Sequence, residues 1–598
     1  MGAGLAAASV EYRWSSAWRE AARLPQLAVA ALVPLALLPG ALFHFDVTPK
    51  AVVLLAGAAA AAGLRGPALV RETKWLRWLL AAQVASLVFS TLFSTDAALS
   101  VAGTNWRRFG LIVQLGLLAY TYSVDADLRR PLLRVIAASG ALAALYGIAQ
   151  FFGFDPWLPR HGYHVGEGVW RIVRPPGTLG HAGYFAVYLL HVASAGLALW
   201  WEENERRWKW GGAAAAALAV AAIVLSGTRA ALLGLAAGAV VLGWSHRPRL
   251  ATRALALAAL LAAAVAGFYF SSAGLQLRAR ARWFREDPFG GARLSLWADT
   301  LRMAAPRWLT GYGPETYSSQ YPRFQSESLA RRFPERYYES PHNIFLDALA
   351  SQGLPGLAIL ALLAALGIAG LRSSPALLAG MLASLVANQF VVFTIPTALM
   401  FYLTVALGTA GQGRPVRRLA ALPAVILLAL GASGLAWTDW WLERARQSLD
   451  AGRVEQGLED YRRARRFALP GLDTDLWYSR ALLAAAGKIR AEATSQTAWR
   501  EARAAAERAA ARSEQRPNAL YNLAAFRALE NDAAGTEQAL RAAIDWAPRW
   551  YKPRWMLAQL LERAGRLEEA AAQAGRAAEL NDGKNPEVTQ TRDRILGR

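Results

Sequence analysis

The stretch Phe289–Gly353, FGGARLSLWADTLRMAAPRWLTGYGPETYSSQYPRFQSESLARRFPERYYESPHNIFLDALASQG, decides how the rest of the chain is read. It is polar and rich in Arg and aromatic residues, and long apolar segments of Ala, Leu and Val flank it on both sides. Crossing a bilayer takes runs of about 20 apolar residues, and that task does not call for a polar island of this size. The apolar segments are read as spans that hold this stretch, with a few polar partners, at one face of a membrane.

Outward from it, the 598 residues are 55% hydrophobic but fall into two regimes. Apolar runs continue to about residue 437, and a tail rich in Ala, Arg and Glu follows. The expectation is an all-α chain in two domains: a polytopic membrane domain over 1–437, with a large extracytoplasmic loop at 272–341, and a soluble helical domain over 438–598. Runs that satisfy the span rule lie at 24–43, 51–64, 75–94, 109–124, 131–152, 183–201, 210–226, 229–244, 250–271, 342–371, 375–393, 396–412 and 419–437. These predict 12–13 transmembrane helices. The first run is long for the core of a signal peptide and many spans follow it, so it reads as an uncleaved first helix.

The formal net charge is +22. In a soluble protein that charge would point to nucleic acid. Here many of the cations sit in alternate short loops: Arg65, Arg71 and Lys74; Arg129, Arg130 and Arg134; Arg206, Arg207 and Lys209; Arg247, Arg249 and Arg253; Arg372; Arg414, Arg417 and Arg418. This is the positive-inside pattern. It predicts a cytoplasmic N-terminus, an odd number of spans and no nucleic-acid partner. The opposite loops then face the extracytoplasmic side, and there Arg107, Arg108, Arg171, Arg174 and Arg229 accumulate at helix ends where topology does not favour cations. Arg residues converging on one face suit an anionic ligand at the outer leaflet. The absence of cysteine excludes disulfides and thiolate metal sites. His161 and His164, without clustered carboxylates, make a poor metal site, so no metal and no cofactor is expected.

The tail repeats. Tyr521-Asn-Leu523 and Trp555-Met-Leu557 are 34 residues apart, and Ala539, Ala542 and Ala543 align with Ala574, Ala577 and Ala578 at an offset of 35. Paired helices with small residues at packing positions, and Pro548 near a repeat end, resemble tetratricopeptide repeats. Two units are clear at 517–584, and 440–515 reads as irregular helical repeats. The expected α-solenoid either presents a concave surface to a protein partner or serves as a stabilising cap.

Several motifs stand in fixed order. Leu225-Ser-Gly-Thr-Arg229-Ala-Ala-Leu-Leu-Gly234 is followed by Gly291-Ala-Arg293-Leu-Ser-Leu-Trp297, then by Gly311-Tyr-Gly313-Pro-Glu-Thr-Tyr317, and then by Pro341-His342-Asn343-Ile-Phe-Leu346 with Gly353-Leu-Pro-Gly356. Upstream lie Gly103-Thr-Asn-Trp-Arg107-Arg-Phe-Gly110 and Arg174-Pro-Pro-Gly-Thr-Leu-Gly-His181. Over residues 90–410 this set resembles the O-antigen ligase and polymerase superfamily. Thr228 stands where that family usually has Ser, Ala230 where it has Gly, and His181 where it has Asn.

The resemblance implies a metal-independent, multi-span glycosyltransferase of the bacterial cytoplasmic (inner) membrane, acting in cell-envelope or lipopolysaccharide biosynthesis. Its donor would be a glycan on undecaprenyl diphosphate. Its acceptor would be lipid A–core (ligase), a growing glycan (polymerase) or a protein hydroxyl (O-oligosaccharyltransferase). The residues suit that task. Arg229 and Arg293 can hold a diphosphate bidentately and offset the charge of its departure. His342 has an ordinary pKa suited to a general base. Arg174 and Arg107 are candidate diphosphate or sugar contacts. Asn343 either hydrogen-bonds a sugar or caps the helix. Gly311-Tyr312-Gly313 is a turn, and Tyr312 joins the aromatic residues that either stack on sugars or sit in the membrane interface. Two other classes remain: a transporter for the same lipid-linked glycan, whose Arg would line a pathway rather than one face, and a membrane-anchored scaffold acting through its tail.

Overall fold

The computed structural model describes residues 22–65, 68–70, 74–165, 172–245, 291–409, 413–415, 421–487 and 492–597, with Gly411 and isolated residues between 263 and 282. The expected span at 250–271 lies largely outside them, as does Arg171.

The membrane part comprises α1 (Leu24–Leu35), α2 (Thr48–Arg65), α3 (Lys74–Leu92), the short α4 (Ala97–Ala102), α5 (Leu111–Tyr122), α6 (Arg129–Phe151), α7 (Ala182–Glu202), α8 (Arg206–Ser226) and α9 (Arg229–Ser245). The loop region adds α10 (Arg293–Ala304), α11 (Tyr317–Gln320) and α12 (Glu327–Arg332). Then come α13 (Ile344–Gly370), α14 (Pro375–Ala387), α15 (Ile395–Thr409) and α16 (Leu422–Asp450). Among the described residues, six helices are long and apolar enough to cross a membrane, namely α3, α6, α7, α8, α13 and α16, and shorter apolar helices fill further expected places. Strands enter only as two short antiparallel pairs among the described residues. Of β1 (Ala68–Val70), β2 (His164–Val165), β3 (Ile172–Val173) and β4 (Gly413–Pro415), β1 pairs with β4 and β2 with β3.

Helix α7 is the axis of the bundle. It is apolar all round and almost wholly buried, as a helix surrounded by other helices must be. It packs against α6, α8, α9, α14 and α15. Where α7 meets α8, Gly196 and Gly212 face each other with no room for a larger side chain, the small-residue contact that lets helices approach closely in lipid.

The two ends of the bundle differ in chemistry. One end is tied by ion pairs: Arg129 to Glu202 at 2.6 Å, and Arg134 to Glu203 at 2.8 Å and Glu205 at 2.7 Å. The opposite end gathers the loops that begin α5, α7, α9 and α13. Arg129, Arg134 and Glu203 therefore lie a bundle length away from Arg107, His181, Arg229 and His342, as alternate spans require.

Two breaks in regularity shape the site end. Helix α13 is interrupted at Gly353, where φ is 69° and ψ −164°. A Cβ there would sit 2.6 Å from the Leu309 carbonyl group, and one at Gly311 would sit 2.4 Å from the Ser351 carbonyl group. The turn at 308–313 thus lies directly on the break in α13. The Tyr312 N–H donates to Ala350 O and the Gly313 N–H to Ser351 O, both at 2.9 Å. The second departure concerns the last span, which continues past the expected boundary at 437 as one unbroken helix to Asp450.

After α16 the tail forms α17 (Val454–Arg466), α18 (Asp475–Ala486), α19 (Glu492–Arg512), α20 (Arg516–Leu529), α21 (Ala533–Trp546), α22 (Tyr551–Arg563), α23 (Leu567–Asn581) and α24 (Pro586–Leu596). Helices α18 and α19, α20 and α21, and α22 and α23 pack as successive hairpins. Ala539 and Ala574, 35 residues apart, are both buried in the same core. The tail folds back on the loop region. Arg576 pairs with Glu327 at 2.6 Å, Lys552 pairs with Glu335 at 2.6 Å, and the Arg323 guanidinium lies over Trp546 at 3.5 Å.

Candidate active site

Helix α10 opens with Arg293, and one turn later Trp297 falls on the same face. The Trp297 Nε1–H donates to Pro341 O at 3.0 Å. Its ring lies 5.9 Å from that of Phe390, and the Arg293 guanidinium also lies 5.9 Å from the Phe390 ring. The next residue after Pro341 is His342, whose φ of 50° is left-handed and unusual for a non-glycine residue. Asn343 then caps α13. Its Oδ1 accepts from the Phe345 and Leu346 N–H groups at 2.9 and 3.1 Å, and its Nδ2 donates to Gln389 O and Oε1 at 3.2 Å. His342 is thereby held from three sides, by α10, by the cap and by the loop after α14.

The other half of the site comes from the middle of the bundle. Thr228 Oγ1 donates to Ala182 O at 3.2 Å, which ties the α8–α9 turn to the start of α7. Arg229 opens α9 and is half-buried. The Arg174 N–H donates to Tyr163 O at 2.9 Å, so the β2–β3 hairpin carries this Arg. His181 is the N-cap of α7 and lies 5.0 Å from the Tyr184 ring.

Electrostatics shows that these groups form one cluster. The His342 imidazole is pushed down to about 4, first by burial and then by the charges of Arg293, Arg107 and Arg336. His181 is also pushed down to about 4, by burial and then by Arg174, His342 and Arg293. Arg174 is lowered by burial and by Arg229. Arg229 thus acts on Arg174, Arg174 and Arg293 act on His181, and Arg293 acts on His342, a chain of influence at one end of the bundle in which both imidazoles are neutral at neutral pH. His181 keeps contact with solvent at the start of α7. A gathering of guanidinium groups favours an anion, and neutral imidazoles beside it can accept or donate a hydrogen bond without adding charge.

Three expected site residues are occupied elsewhere. Arg107 is buried; its Nε donates to Glu315, and its two Nη groups donate to Asp347 at 3.0 and 3.2 Å. Burial opposes its charge, but Asp347 and Glu315 outweigh burial and raise its pKa. Its donors are spent on carboxylates, although its charge reaches His342. Asn343 spends both ends of its amide on the cap and on Gln389. Tyr312 is buried among Leu296, Tyr317 and Tyr321 in the core of the loop region. His181 and Trp297, in contrast, are site-forming residues that motif reading passed over. His181 was visible as the departure from Asn, and Trp297 as the close of the Arg293 motif.

The architecture is that of an all-α polytopic membrane protein with Arg and His residues gathered at one end of its bundle. Residues 214–361 match the family model described as O-Antigen ligase, a segment that contains Arg229, Arg293 and His342. The match supports the O-antigen ligase superfamily, and with it a membrane glycosyltransferase-like ligase or polymerase function. No curated protein matches the chain.

Proposed function

We propose that this protein transfers a glycan from undecaprenyl diphosphate to an acceptor hydroxyl at the outer face of the bacterial cytoplasmic membrane, with its N-terminus in the cytoplasm. The observation that carries this reading is the gathering of Arg and His at one end of the bundle, where Arg293 acts on His342, Arg174 and Arg293 act on His181, and Arg229 acts on Arg174. The acceptor oxygen attacks the anomeric carbon as the bond from that carbon to the diphosphate oxygen breaks. The electron pair leaves with the diphosphate, whose growing charge is offset by Arg229 and Arg293, with Arg174 behind them. The hydroxyl proton passes to His342. One displacement inverts the anomeric configuration.

The geometry gives the base a dependence on the donor. Burial, and after it the charges of Arg293, Arg107 and Arg336, hold His342 at low basicity. A diphosphate held by Arg293 offsets that residue's charge and raises the proton affinity of the imidazole. Arg107 acts as a positioning residue through Asp347 and Glu315 rather than as a ligand. Lipid A–core, a growing glycan and a protein hydroxyl all satisfy the acceptor chemistry. The tail, read as tetratricopeptide-like hairpins, braces the loop that carries the site.

The test is glycan transfer by the full-length protein in nanodiscs, from synthetic undecaprenyl-diphosphate glycan to a defined acceptor, read by mass spectrometry. His342→Ala and Arg229→Ala should abolish product. Full-rate transfer by His342→Ala rejects the assignment of the base. Movement of the lipid-linked glycan across the bilayer without a new glycosidic bond identifies a transporter instead.

A further inference from the structure

The turn that ends in His181 has a feature the transfer reaction above does not use. His181 caps α7 with its ring: the Gly183 N–H donates to His181 Nδ1 at 3.1 Å. An imidazole nitrogen that accepts has no proton of its own, so in the neutral ring the proton must be on Nε2. The cap therefore fixes the tautomer. It leaves one N–H donor on the side of the ring away from the helix.

The surroundings hold that donor in place. Thr178 Oγ1 donates to Pro34 O at 2.6 Å, which fastens the turn to the end of α1. The His181 ring rests against Tyr184 at 5.0 Å, and Tyr184 in turn lies 6.4 Å from Trp106 in a stacked arrangement. Helix α7 is 21 residues long and begins at this point, so the positive end of its dipole lies here as well. The residue is exposed, and the charges of Arg174 and Arg293 act on its imidazole.

We propose that His181 is a diphosphate-binding residue, whose Nε2–H donates to a phosphate oxygen of the lipid-linked substrate between Arg174 and Arg293. A neutral donor suits this place. A further cation would add repulsion beside Arg174, Arg229 and Arg293, whereas an uncharged N–H binds the anion without that cost. Asn, the residue of the resembled family here, can do the same two things: its Oδ1 caps the helix and its Nδ2 donates. The proposal rests on the transferase reading and assigns within it a role that the motif comparison leaves open.

The experiment uses the full-length protein in detergent with farnesyl diphosphate as the probe, followed by calorimetry. The variants are His181→Asn, His181→Ser and His181→Asp, all of which keep a cap. His181→Asn should retain affinity close to that of the unsubstituted protein. His181→Ser, too short to reach, should weaken binding roughly tenfold, and His181→Asp should weaken it further, each with an unchanged melting temperature. In ¹⁵N spectra of the unsubstituted protein, the His181 signal should be that of the Nε2–H tautomer and should move when the probe is added. If His181→Ser binds as tightly as the unsubstituted protein while Arg229→Ala does not, His181 only caps the helix and the proposal is overturned, with the transferase reading intact. If the probe fails to bind the unsubstituted protein, or binds regardless of Arg229 and Arg293, the underlying reading falls and takes this one with it.

Discussion

The indole Nε1–H of Trp297 donates to the carbonyl oxygen of Pro341 at 3.0 Å, so the helix that carries Arg293 and the peptide that precedes His342 move as one unit. A candidate phosphate ligand and a candidate base, separated by 48 intervening residues in sequence, are thereby set against each other by one hydrogen bond. Trp297→Phe keeps the ring against Phe390 and deletes the donor. Turnover should fall roughly tenfold, since small misplacements of reacting groups are costly, with little change in melting temperature. Steady-state kinetics with a lipid-linked donor checks this, and unchanged kcat would show that the bond is only structural.

The pH profile should report the cation cluster. A base works only when unprotonated, so rate is lost as pH falls through its pKa. His342 is pushed down to about 4 by burial and then by Arg293, Arg107 and Arg336. The acid limb of kcat/KM, which reports free enzyme, should lie near that value. The limb of kcat should lie at higher pH, because bound diphosphate offsets the charge of Arg293. Arg293→Ala should move the kcat/KM limb upward. Coincident limbs for kcat and kcat/KM would contradict this coupling.

Arg293→Lys should not rescue Arg293→Ala. An ammonium cannot reproduce the bidentate fork that matches two phosphate oxygens, so kcat should fall by about 10²-fold with either residue. Rescue by Lys would mean that Arg293 contributes charge alone.

Gly353→Ala should loosen the loop region. The left-handed φ of 69° disfavours any side chain, and the new Cβ would overlap the Leu309 carbonyl group at 2.6 Å. Backbone cannot yield as a side chain can, so the cost should be about 2 kcal/mol or more. The expected readout is faster proteolysis between Ala305 and Glu339 together with lost transfer. Normal protease resistance would show that the turn at 308–313 can relax.

The seat of the tail should respond to pH through Glu514. This carboxyl accepts the Asn105 N–H at 2.9 Å and is pushed up to about 8. Burial is the main cause, Asp473 and Glu315 add to it, and the Asn105 N–H and Arg108 oppose it. The folded protein then holds a proton that the unfolded chain releases near 4.5. Stability from this group is present at low pH and is lost as pH rises toward 8. Glu514→Gln should flatten the fall in melting temperature between about pH 4.5 and about pH 8. An unchanged slope would show that Glu514 is ionised in the folded state.

What sequence shows and what it hides follows from range. The spans were readable because each is a local apolar run, and the Arg229, Arg293 and His342 motifs because each is a short string. The destiny of Arg107 was hidden, since its partners Glu315 and Asp347 lie 208 and 240 residues away. The end of the last span was hidden for a different reason. Beyond residue 437 the helix turns to Trp, Glu and Arg, which reads as a change of domain, while the backbone continues without a break to Asp450. The strands β1 and β4 are too short, and too far apart in the chain, to leave a periodic signal. The repeat pattern of the tail gave no hint that Arg576 and Lys552 would pair with Glu327 and Glu335 of the same chain.

The contacts of Asn105 have a consequence for how the protein is made. Its backbone N–H is held by Glu514, and its side-chain amide donates to Asp473 O. His44, near the start, bonds Asp439 at 2.8 Å. The loop that carries Arg107 therefore cannot settle until chain hundreds of residues later has been synthesised and delivered to the same side of the membrane. A nascent or prematurely terminated polypeptide would hold every motif of the site and still lack its scaffold. Truncation of the tail should therefore unsettle a loop hundreds of residues upstream of the cut, so that the last part of the chain to be made completes the support of one of the first.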